Sequence, residues 1–417
     1  MFYLTNILLF SGPALTLLMH SGYMLLGLSL MLLGAGVLAF NLPRQTLQNP
    51  SVYWMVGGFW LYSLIGILMV LFHGHAWTFY EMYLPAILYP LIFLVIPNSR
   101  VKPILFFLGA ATGAIGAALV AIYQIKFLGI SRADGFYFNA IHFGNTGLVM
   151  GAASFIGFLT MPVEKRFGLV RIWLVIGGFS GMLASLLSGS KGGWLSLVMV
   201  LIVVVVYLSK KLNLWKKVAL FVISATLLGG TLTLLPKQTV LGRIESGLQG
   251  AKIWVSTGQV TEGSVSLRLA AWKIGLDMFE DRPWTGWGGK NMGPEQRQRL
   301  AQTGLESQYI GGLGAFENEY INSLVRFGIL GGIGMVLAFG SPLIAFARFR
   351  KHTDPSIQGM ALLGMLLPLM YMEFGLSVSV LSVNTCRQVY FSWCIVLLAL
   401  ILLRLRQLEK PNDQTAG

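Results

Sequence analysis

Residues 103–127 read PILFFLGAATGAIGAALVAIYQIKF, and the single charged residue of this stretch, Lys126, stands near its end. An apolar run of roughly 17 to 25 residues is long enough to cross the hydrocarbon core of a bilayer as a helix. Gly109, Gly113 and Gly116 follow the small-residue spacing that favours tight helix packing in membranes. The stretch therefore predicts a transmembrane helix, and the fold depends on how often such stretches recur.

The composition extends this conclusion to the whole chain. Of 417 residues, 55% are hydrophobic and 11% are charged, and the mean hydropathy is +0.70. Soluble domains have about 25% charged residues to cover their surface. The composition therefore excludes a soluble enzyme, a disordered protein and a disulfide-stapled secreted module. The formal net charge of +14 suits basic cytoplasmic loops and the binding of an anionic ligand.

Twelve apolar runs predict an all-α integral membrane protein with about 12 transmembrane helices. Residues 236–317, between the ninth and tenth runs, contain no span but include a predicted amphipathic helix from Ser266 to Phe279. So long a connection is uncommon unless it is functional. We therefore expect a transmembrane bundle (1–235, spans 1–9), a helical outer loop subdomain (236–317), and a second bundle part with spans 10–12 and a cytoplasmic tail (318–417). The predicted spans are 3–19, 22–41, 52–73, 82–97, 103–127, 139–161, 168–188, 191–209, 217–235, 318–347, 357–379 and 386–405.

The distribution of lysine and arginine predicts the orientation of these spans. With the N-terminus in the cytoplasm, the cytoplasmic connections hold sixteen basic residues, and the short outer connections hold four: Lys126, Arg132, Lys191 and Arg387. Such an excess is typical of the cytoplasmic side of a membrane protein. We therefore expect both termini in the cytoplasm and residues 236–317 on the outer side.

Several cations at the predicted outer face are candidates for binding an anion. Lys191 lies in the turn SGSKGGW (188–194), whose backbone N–H groups favour an anion; a lysine that snorkels to the interface is an equally good interpretation. Arg132 lies just outside the fifth span, where a surface pair with Asp134 is the ordinary alternative.

Arg268 begins the amphipathic helix, where the helix dipole disfavours a cation. This position predicts a bound anion or a carboxylate partner, and Arg243 is a weaker candidate of the same kind.

Acidic residues mark the start of the tenth span and the interior of the eleventh. Glu317, Asn318 and Glu319 suit the N-terminus of a helix, and a carboxylate at a basic membrane face is also what a general base requires. Glu373 lies deep inside the eleventh span, where an ionisable residue is by default functional or paired. We expect a structural ion pair between Glu373 and Arg326.

The histidines give weaker signals. His73 and His75, with Glu81, lack a well-placed third metal ligand, so an interfacial loop is the better interpretation. His142 enters the sixth span either as a packed polar residue or as part of a substrate channel. The sequence contains no Walker loop, dinucleotide fingerprint, catalytic-triad order or zinc-binding spacing.

Three segments, in their order along the chain, resemble the O-antigen ligase/polymerase superfamily. The first is residues 188–195 (SGSKGGWL), and the second is Arg268 and Trp272 followed by residues 281–288 (DRPWTGWG). The third is residues 317–320 (ENEY) followed by residues 327–331 (FGILG). A long outer loop between the ninth and tenth spans completes the resemblance, which covers residues 130–380.

The resemblance implies a GT-C-like glycosyltransferase of the bacterial inner membrane with its active site facing the periplasm. Such a protein transfers a glycan from undecaprenyl pyrophosphate to an acceptor sugar, with inversion, and needs no cofactor and no metal. Its partners are the lipid-linked donor, a glycan or lipid A–core acceptor, and the bilayer, with no nucleic acid. Ligases of the superfamily join O-antigen to lipid A–core, whereas Wzy-type polymerases join repeat units to one another.

The resemblance also implies roles for single residues. Ligases usually carry histidine directly before the asparagine of the third segment, where this chain has Glu317, so we expect a polymerase and keep the ligase as the alternative. Lys191 and Arg268 are the expected catalytic cations at the pyrophosphate leaving group, and Glu317 is the expected base. The substrate-binding candidates are Arg132, Asn318, Tyr320, Trp272, Arg243 and His142.

Two interpretations from other classes compete with a glycosyltransferase. A multi-span transporter also suits many apolar helices with buried charges, but the long loop breaks the repeat symmetry that transporters commonly show. A non-catalytic membrane scaffold for polysaccharide export would tolerate the loss of Lys191, Arg268 and Glu317.

Overall fold

The computed structural model describes residues 2–40, 48–75, 77–162, 168–190, 193–209, 215, 237–257, 264–302 and 316–409. Every regular element in these residues is helical, as the sequence predicts. In chain order the α-helices are α1 (Phe2–Leu15), α2 (Gly22–Ala39), α3 (Pro50–Phe72), α4 (Leu84–Leu88), α5 (Ile104–Lys126), α6 (Ala140–Thr160), α7 (Gly168–Ser188), α8 (Trp194–Ser209), α9 (Lys237–Thr257), α10 (Ser264–Asp281), α11 (Gly288–Gln302), α12 (Glu319–Ala347), α13 (Pro355–Phe374) and α14 (Asn384–Glu409).

Eight helices within the described residues are long and apolar enough to cross a membrane, which confirms the prediction of many membrane-spanning helices. They are α2, α3, α5, α6, α7, α12, α13 and α14. Tyr3–Leu15 and Leu84–Asn98 are shorter apolar stretches of helical turns, and α8 has 16 residues. The predicted ninth span, residues 217–235, lies outside the described residues. The total of about 12 spans therefore stays a prediction.

The fourth predicted span is apolar but is not a continuous α-helix. Prolines at positions 85, 90 and 97 each lack a backbone N–H and fix their φ angle, which interrupts the helical ladder of hydrogen bonds. The chain therefore breaks into short turns, and we call residues 77–98 the broken segment. Its pieces are Trp77–Met82, α4, Tyr89–Leu94 and Ile96–Asn98.

The connections between helices meet at two opposite ends of the bundle. At one of them, which we call the Glu319 end, the Glu319 backbone N–H donates to the Gly375 carbonyl over 2.7 Å. At the other, the Arg404 end, Arg404 donates to one carboxylate oxygen of Asp354 from Nε (3.1 Å) and Nη2 (2.9 Å). The Arg404 end holds the basic residues Arg100, Lys102, Arg171, Arg348, Arg350, Lys351, Arg404 and Arg406. This is the end at which the sequence predicts the cytoplasmic loops.

The last helix, α14, runs through the centre of the bundle. Its residues from Thr385 to Leu403 are all buried. Phe391 meets the ring of Phe59 on α3 edge to face at 4.8 Å, and the hydroxyl of Tyr390 donates to a backbone carbonyl of α12 over 2.8 Å. Such contacts replace lipid by protein around α14 and hold α3 and α12 against it.

A second, smaller core joins α10 and α11 to the first turns of α12. The amphipathic helix predicted from Ser266 to Phe279 is confirmed as α10, because its apolar residues Ala271, Ile274 and Met278 are buried. This core fixes α10 beside the start of α12, where the candidate site lies. Its buried residues are Ile274, Met278, Met292, Leu300, Phe316, Ile321 and Val325.

Candidate active site at the start of helix α12

The chain adopts an unusual conformation just before α12. Glu317 has a φ of 48°, in the left-handed region that residues other than glycine rarely adopt and that is often found at functional sites. Asn318 then caps the helix, because its side-chain oxygen accepts hydrogen bonds from the backbone N–H of Tyr320 (2.9 Å) and Ile321 (3.1 Å). The cap places Glu317 outside the helical ladder, so its side chain is available to partners from other elements.

The carboxylate of Glu317 pairs with Arg268, in the first turns of α10. Arg268 Nη2 lies 2.6 Å from Glu317 Oε2, and the two side chains are 26% and 27% exposed. One turn further along α10, the indole N–H of Trp272 donates to the Phe316 carbonyl over 2.9 Å. The structure thus supplies a carboxylate partner for Arg268, one of the two possibilities that the sequence predicts. A pair this exposed contributes at most about 1 kcal/mol to stability, so it is free to exchange partners at low cost.

The neighbouring acid, Glu319, is held firmly inside the protein. It is 2% exposed, and its two carboxylate oxygens accept from the Leu381 N–H and the Ser323 hydroxyl, each over 2.8 Å. With the backbone bond to Gly375, these contacts anchor the first turn of α12 to the connection between α13 and α14. The two acids of the predicted pair therefore differ: Glu317 is accessible, whereas Glu319 holds the backbone beside it.

Helix α12 is interrupted where it meets the second sequence segment. Phe327 and Gly328 leave the helical conformation, and Gly328 has φ 63° and ψ −151°. The freed backbone groups bond to the segment of residues 281–288: the Ile329 N–H donates to the Pro283 carbonyl (2.7 Å), and the Trp287 N–H donates to the Val325 carbonyl (2.9 Å). The second and third segments of the predicted resemblance therefore contact each other directly.

The first segment packs against Arg132. Arg132 Nε donates to the Ser188 carbonyl at the end of α7 over 3.0 Å, and the Ser190 hydroxyl donates to Asn145 of α6 over 3.0 Å. Lys191, one residue further, lies outside the described residues. Arg132 thus lies against the turn that leads to Lys191.

Three other predicted substrate-binding residues lie at different places. Tyr320 donates its hydroxyl to the Met372 carbonyl over 2.8 Å, which ties α12 to α13. His142 Nδ1 lies 3.6 Å from Cys386 Sγ, between α6 and α14. Arg243 belongs to α9, and its side chain lies outside the described part of the chain. Their roles stay predictions.

The expected ion pair between Glu373 and Arg326 is wrong. Glu373 accepts a hydrogen bond from the Ser196 hydroxyl of α8. Arg326 instead approaches the sulfur of Met82 in the broken segment, with Nη1 3.6 Å away, and lines a cavity of about 30 Å³ together with Glu319. The error arose because the sequence does not show that α12 turns Arg326 toward the broken segment, while α13 turns Glu373 toward α8.

The loop that follows α3 contacts residues 281–288. The ring of His73 bonds to the Thr285 carbonyl over 2.8 Å, and its ring stacks on His75 at 5.5 Å. His75 is buried, and both of its ring nitrogens lack a hydrogen-bond partner. Burial, and secondarily the charge of His73, lower the pKa of His75. In the described part of the chain, no three His, Cys, Asp or Glu side chains gather as a metal site.

Two arginines near this site, one buried and one partly buried, were not predicted as site residues. Arg387 was counted with the outer connections, yet it lies inside α14 and is 5% exposed. Arg326 was assigned to another partner. An arginine within an apolar run is the signal that identifies such residues, because a charge in a span is costly and rarely without a role.

Comparison with known proteins supports the resemblance. Residues 174–336 match the family model described as O-Antigen ligase (Wzy_C). This range contains Lys191, Arg268, Trp272 and Glu317, and ends within α12. An uncharacterized protein of Haemophilus influenzae is 22% identical over 307 residues, which are 72% of this chain and 74% of that protein. Over residues 174–336 the predicted resemblance to the O-antigen ligase/polymerase superfamily is thereby confirmed.

Proposed function

We propose that the protein is an inner-membrane glycosyltransferase that uses the Arg268–Glu317 pair to transfer a glycan from undecaprenyl pyrophosphate to an acceptor sugar. One observation carries this proposal. A strained, capped helix start presents an accessible carboxylate to an arginine over 2.6 Å, inside the segment that matches the O-antigen ligase family. Backbone strain of this kind clusters at active sites and ligand-binding sites.

The proposed reaction begins with an exchange of partners at Arg268. The donor's pyrophosphate competes with Glu317 for the guanidinium, which binds phosphate oxygens in a fixed fork geometry. The released carboxylate of Glu317 then accepts the proton of the acceptor hydroxyl. The acceptor oxygen forms a bond to the anomeric carbon, the bond from this carbon to the phosphate oxygen breaks, and undecaprenyl pyrophosphate leaves with the electron pair. Attack from the opposite face inverts the anomeric centre.

The other candidates would support these two residues. Trp272 and Asn318 hold the backbone on either side of Glu317, through the Phe316 carbonyl and the cap of α12. Lys191 and Arg132 would neutralise the rest of the pyrophosphate charge, since a bound polyanion requires several cations. Tyr320, Arg243 and His142 remain candidates for binding the sugars.

The orientation in the membrane follows from charge. We propose that the Arg404 end, with its cluster of basic residues, faces the cytoplasm, as the positive-inside rule requires. The Glu319 end and the active site then face the periplasm, and both termini are cytoplasmic. Residues 236–317 form the periplasmic loop subdomain between spans 9 and 10 of about 12, in this proposal. Two bundle parts, residues 1–235 and 318–417, flank it.

The acceptor distinguishes a polymerase from a ligase. We propose polymerisation of a surface glycan, because Glu317 stands where ligases of the superfamily usually have histidine. Lipopolysaccharide from a deletion strain of the source bacterium tests this choice on a gel. Core bearing a single repeat unit means that polymerisation was lost. Bare core, with long glycan retained on undecaprenyl pyrophosphate, means that ligation was lost, and an unchanged ladder contradicts both assignments.

Complementation of the deletion strain then tests the site. Wild type and R297Q restore the glycan, since Arg297 is an exposed arginine of α11 outside the proposed chemistry. R268A does not restore it, because the leaving group loses its nearest cation. Membrane levels of each variant are compared by immunoblot, so that loss of protein is separated from loss of transfer. Full restoration by R268A would refute the leaving-group role.

A further inference from the structure

A groove of about 250 Å³ lies on the flank of the bundle between α2, the broken segment and α14. We call it the Arg387 groove. Its walls are largely apolar, and its polar residues gather at one end. The residues that line it are Met24, Leu28, Met31, Glu81, Leu84, Pro85, Leu88, Tyr89, Asn384, Arg387 and Gln388.

The groove changes from polar to apolar with depth. Asn384 is the first residue of α14, at the Glu319 end of the bundle. Met24 lies close to that end of α2, and Met31 lies seven positions further along, or about 10 Å at 1.5 Å per residue. A lipid has the same order, with its headgroup at the membrane surface and its chain pointing inward.

The polar end contains a buried cation that has only neutral partners. Arg387 Nη1 donates to the carbonyls of Leu381 and Ser382, each over 3.1 Å, and Nη2 donates to Asn384 Oδ1 over 3.2 Å. Its Nε has no partner. No carboxylate of the described residues forms an ion pair with it. The buried carboxylate of Glu319 acts on Arg387 through space but forms no hydrogen bond with it. A buried charge without a directly bonded counter-ion is destabilising, and an anion in the groove would supply one.

A carboxylate, Glu81, lines the same groove and is exposed. Although Glu81 and Arg387 both belong to the described part of the chain, they form no ion pair with each other. A headgroup with one negative and one positive charge complements such a pair of residues. A purely anionic lipid phosphate would satisfy Arg387 but would bring negative charge toward Glu81.

We propose that the Arg387 groove binds an aminophospholipid. Its phosphate lies against the guanidinium of Arg387, its primary ammonium faces Glu81, and one acyl chain lies along the wall formed by Met24, Leu28 and Met31. This site is separate from the Arg268–Glu317 pair, and its occupation does not depend on the proposed transferase activity.

The test measures lipid binding to the purified, delipidated full-length chain in detergent. Phosphatidylethanolamine, phosphatidylglycerol and undecaprenyl phosphate are titrated, and bound lipid is counted by native mass spectrometry. We expect the wild type to prefer phosphatidylethanolamine over phosphatidylglycerol by about tenfold, as one charge-assisted contact allows. E81Q removes this preference. R387M weakens the binding of both phospholipids.

A matched pair of variants separates this site from general lipid adhesion. L28W fills the groove and abolishes specific binding. L32W, on the same helix and outside the groove, leaves binding unchanged; the two leucines are 40% and 59% exposed. Because R387M removes buried hydrogen bonds and is liable to misfold, E81Q and L28W decide the result. Equal binding of both phospholipids by the wild type, tighter binding of undecaprenyl phosphate, or unchanged binding by L28W would each overturn the proposal.

Discussion

Gly328 offers a quantitative test of how the candidate site is assembled. Its φ of 63° and ψ of −151° fall in a region that is essentially restricted to glycine and costs other residues about 1–3 kcal/mol. A Cβ at this position would also lie 2.4 Å from the Pro283 carbonyl oxygen and 2.5 Å from that of Trp284. Both contacts are with backbone, so the loop itself must move. We therefore expect G328A to lower the free energy of unfolding by at least about 2 kcal/mol, the middle of that strain range.

Gly340 supplies the matched control on the same helix. A Cβ there meets nothing within 4 Å, and alanine in a helix interior is more stable than glycine by about 1 kcal/mol. Thermal unfolding of the detergent-solubilised protein is the assay. We expect G328A to melt several degrees below the wild type, and G340A at or above it. If G328A and G340A melted at the same temperature, the contact between residues 281–288 and the break in α12 would not be formed as described.

Three further predictions concern other parts of the molecule. W272F removes the hydrogen bond to the Phe316 carbonyl, which should lower the free energy of unfolding by about 1 kcal/mol. It should also lower the rate of glycan transfer, and unchanged transfer in complemented cells would contradict this prediction. D354A removes both the cap of α13 and the ion-pair partner of Arg404. It should lower the free energy of unfolding by about 1–3 kcal/mol, and an unchanged melting temperature would contradict this prediction. Burial lowers the pKa of His75, so the unfolded chain binds the proton more readily than the folded chain. The stability due to neutral His75 is therefore present above the unfolded pKa of about 6.5 and is lost as pH falls below it. Between pH 7.5 and 5.5 the melting temperature should fall further for the wild type than for H75F, and equal falls would refute this prediction.

The sequence was most informative where membrane physics leaves few choices. Apolar length and charge asymmetry predict a helical membrane protein, and the eight long apolar helices agree. The amphipathic pattern within residues 264–281 identified α10, because a helix at the bundle surface buries one face only. The order of the three segments predicted the resemblance that the family model supports over residues 174–336.

The sequence was least informative about which buried charges meet. Periodicity shows that Glu373 and Arg326 lie in spans, but it does not show which neighbour each faces. That depends on the rotation of α12 and α13 about their axes, which many packing contacts set together. The broken segment illustrates a different difficulty: its composition predicts a span, and only the effect of three prolines on the hydrogen-bond ladder makes it irregular.

The strained geometry of Glu317 also lay beyond sequence reasoning. The residues Glu-Asn-Glu predict a helix start, and Asn318 does form the cap. The positive φ of Glu317 follows from tertiary constraints: the Trp272 bond on one side and the Glu319 anchor on the other. Local propensity alone would place Glu317 in an ordinary extended conformation.

In the proposed reaction, Glu317 accepts the proton of the acceptor hydroxyl. The most direct measurement is single-turnover transfer by purified E317Q, with a lipid-pyrophosphate-linked glycan donor and binding of that donor measured in parallel. A general base typically contributes 10²–10⁴-fold to the rate. We predict that E317Q retains donor binding and loses at least roughly 100-fold in the transfer rate, because an amide cannot take the proton. Transfer by E317Q at the wild-type rate would contradict the role of Glu317 as the base.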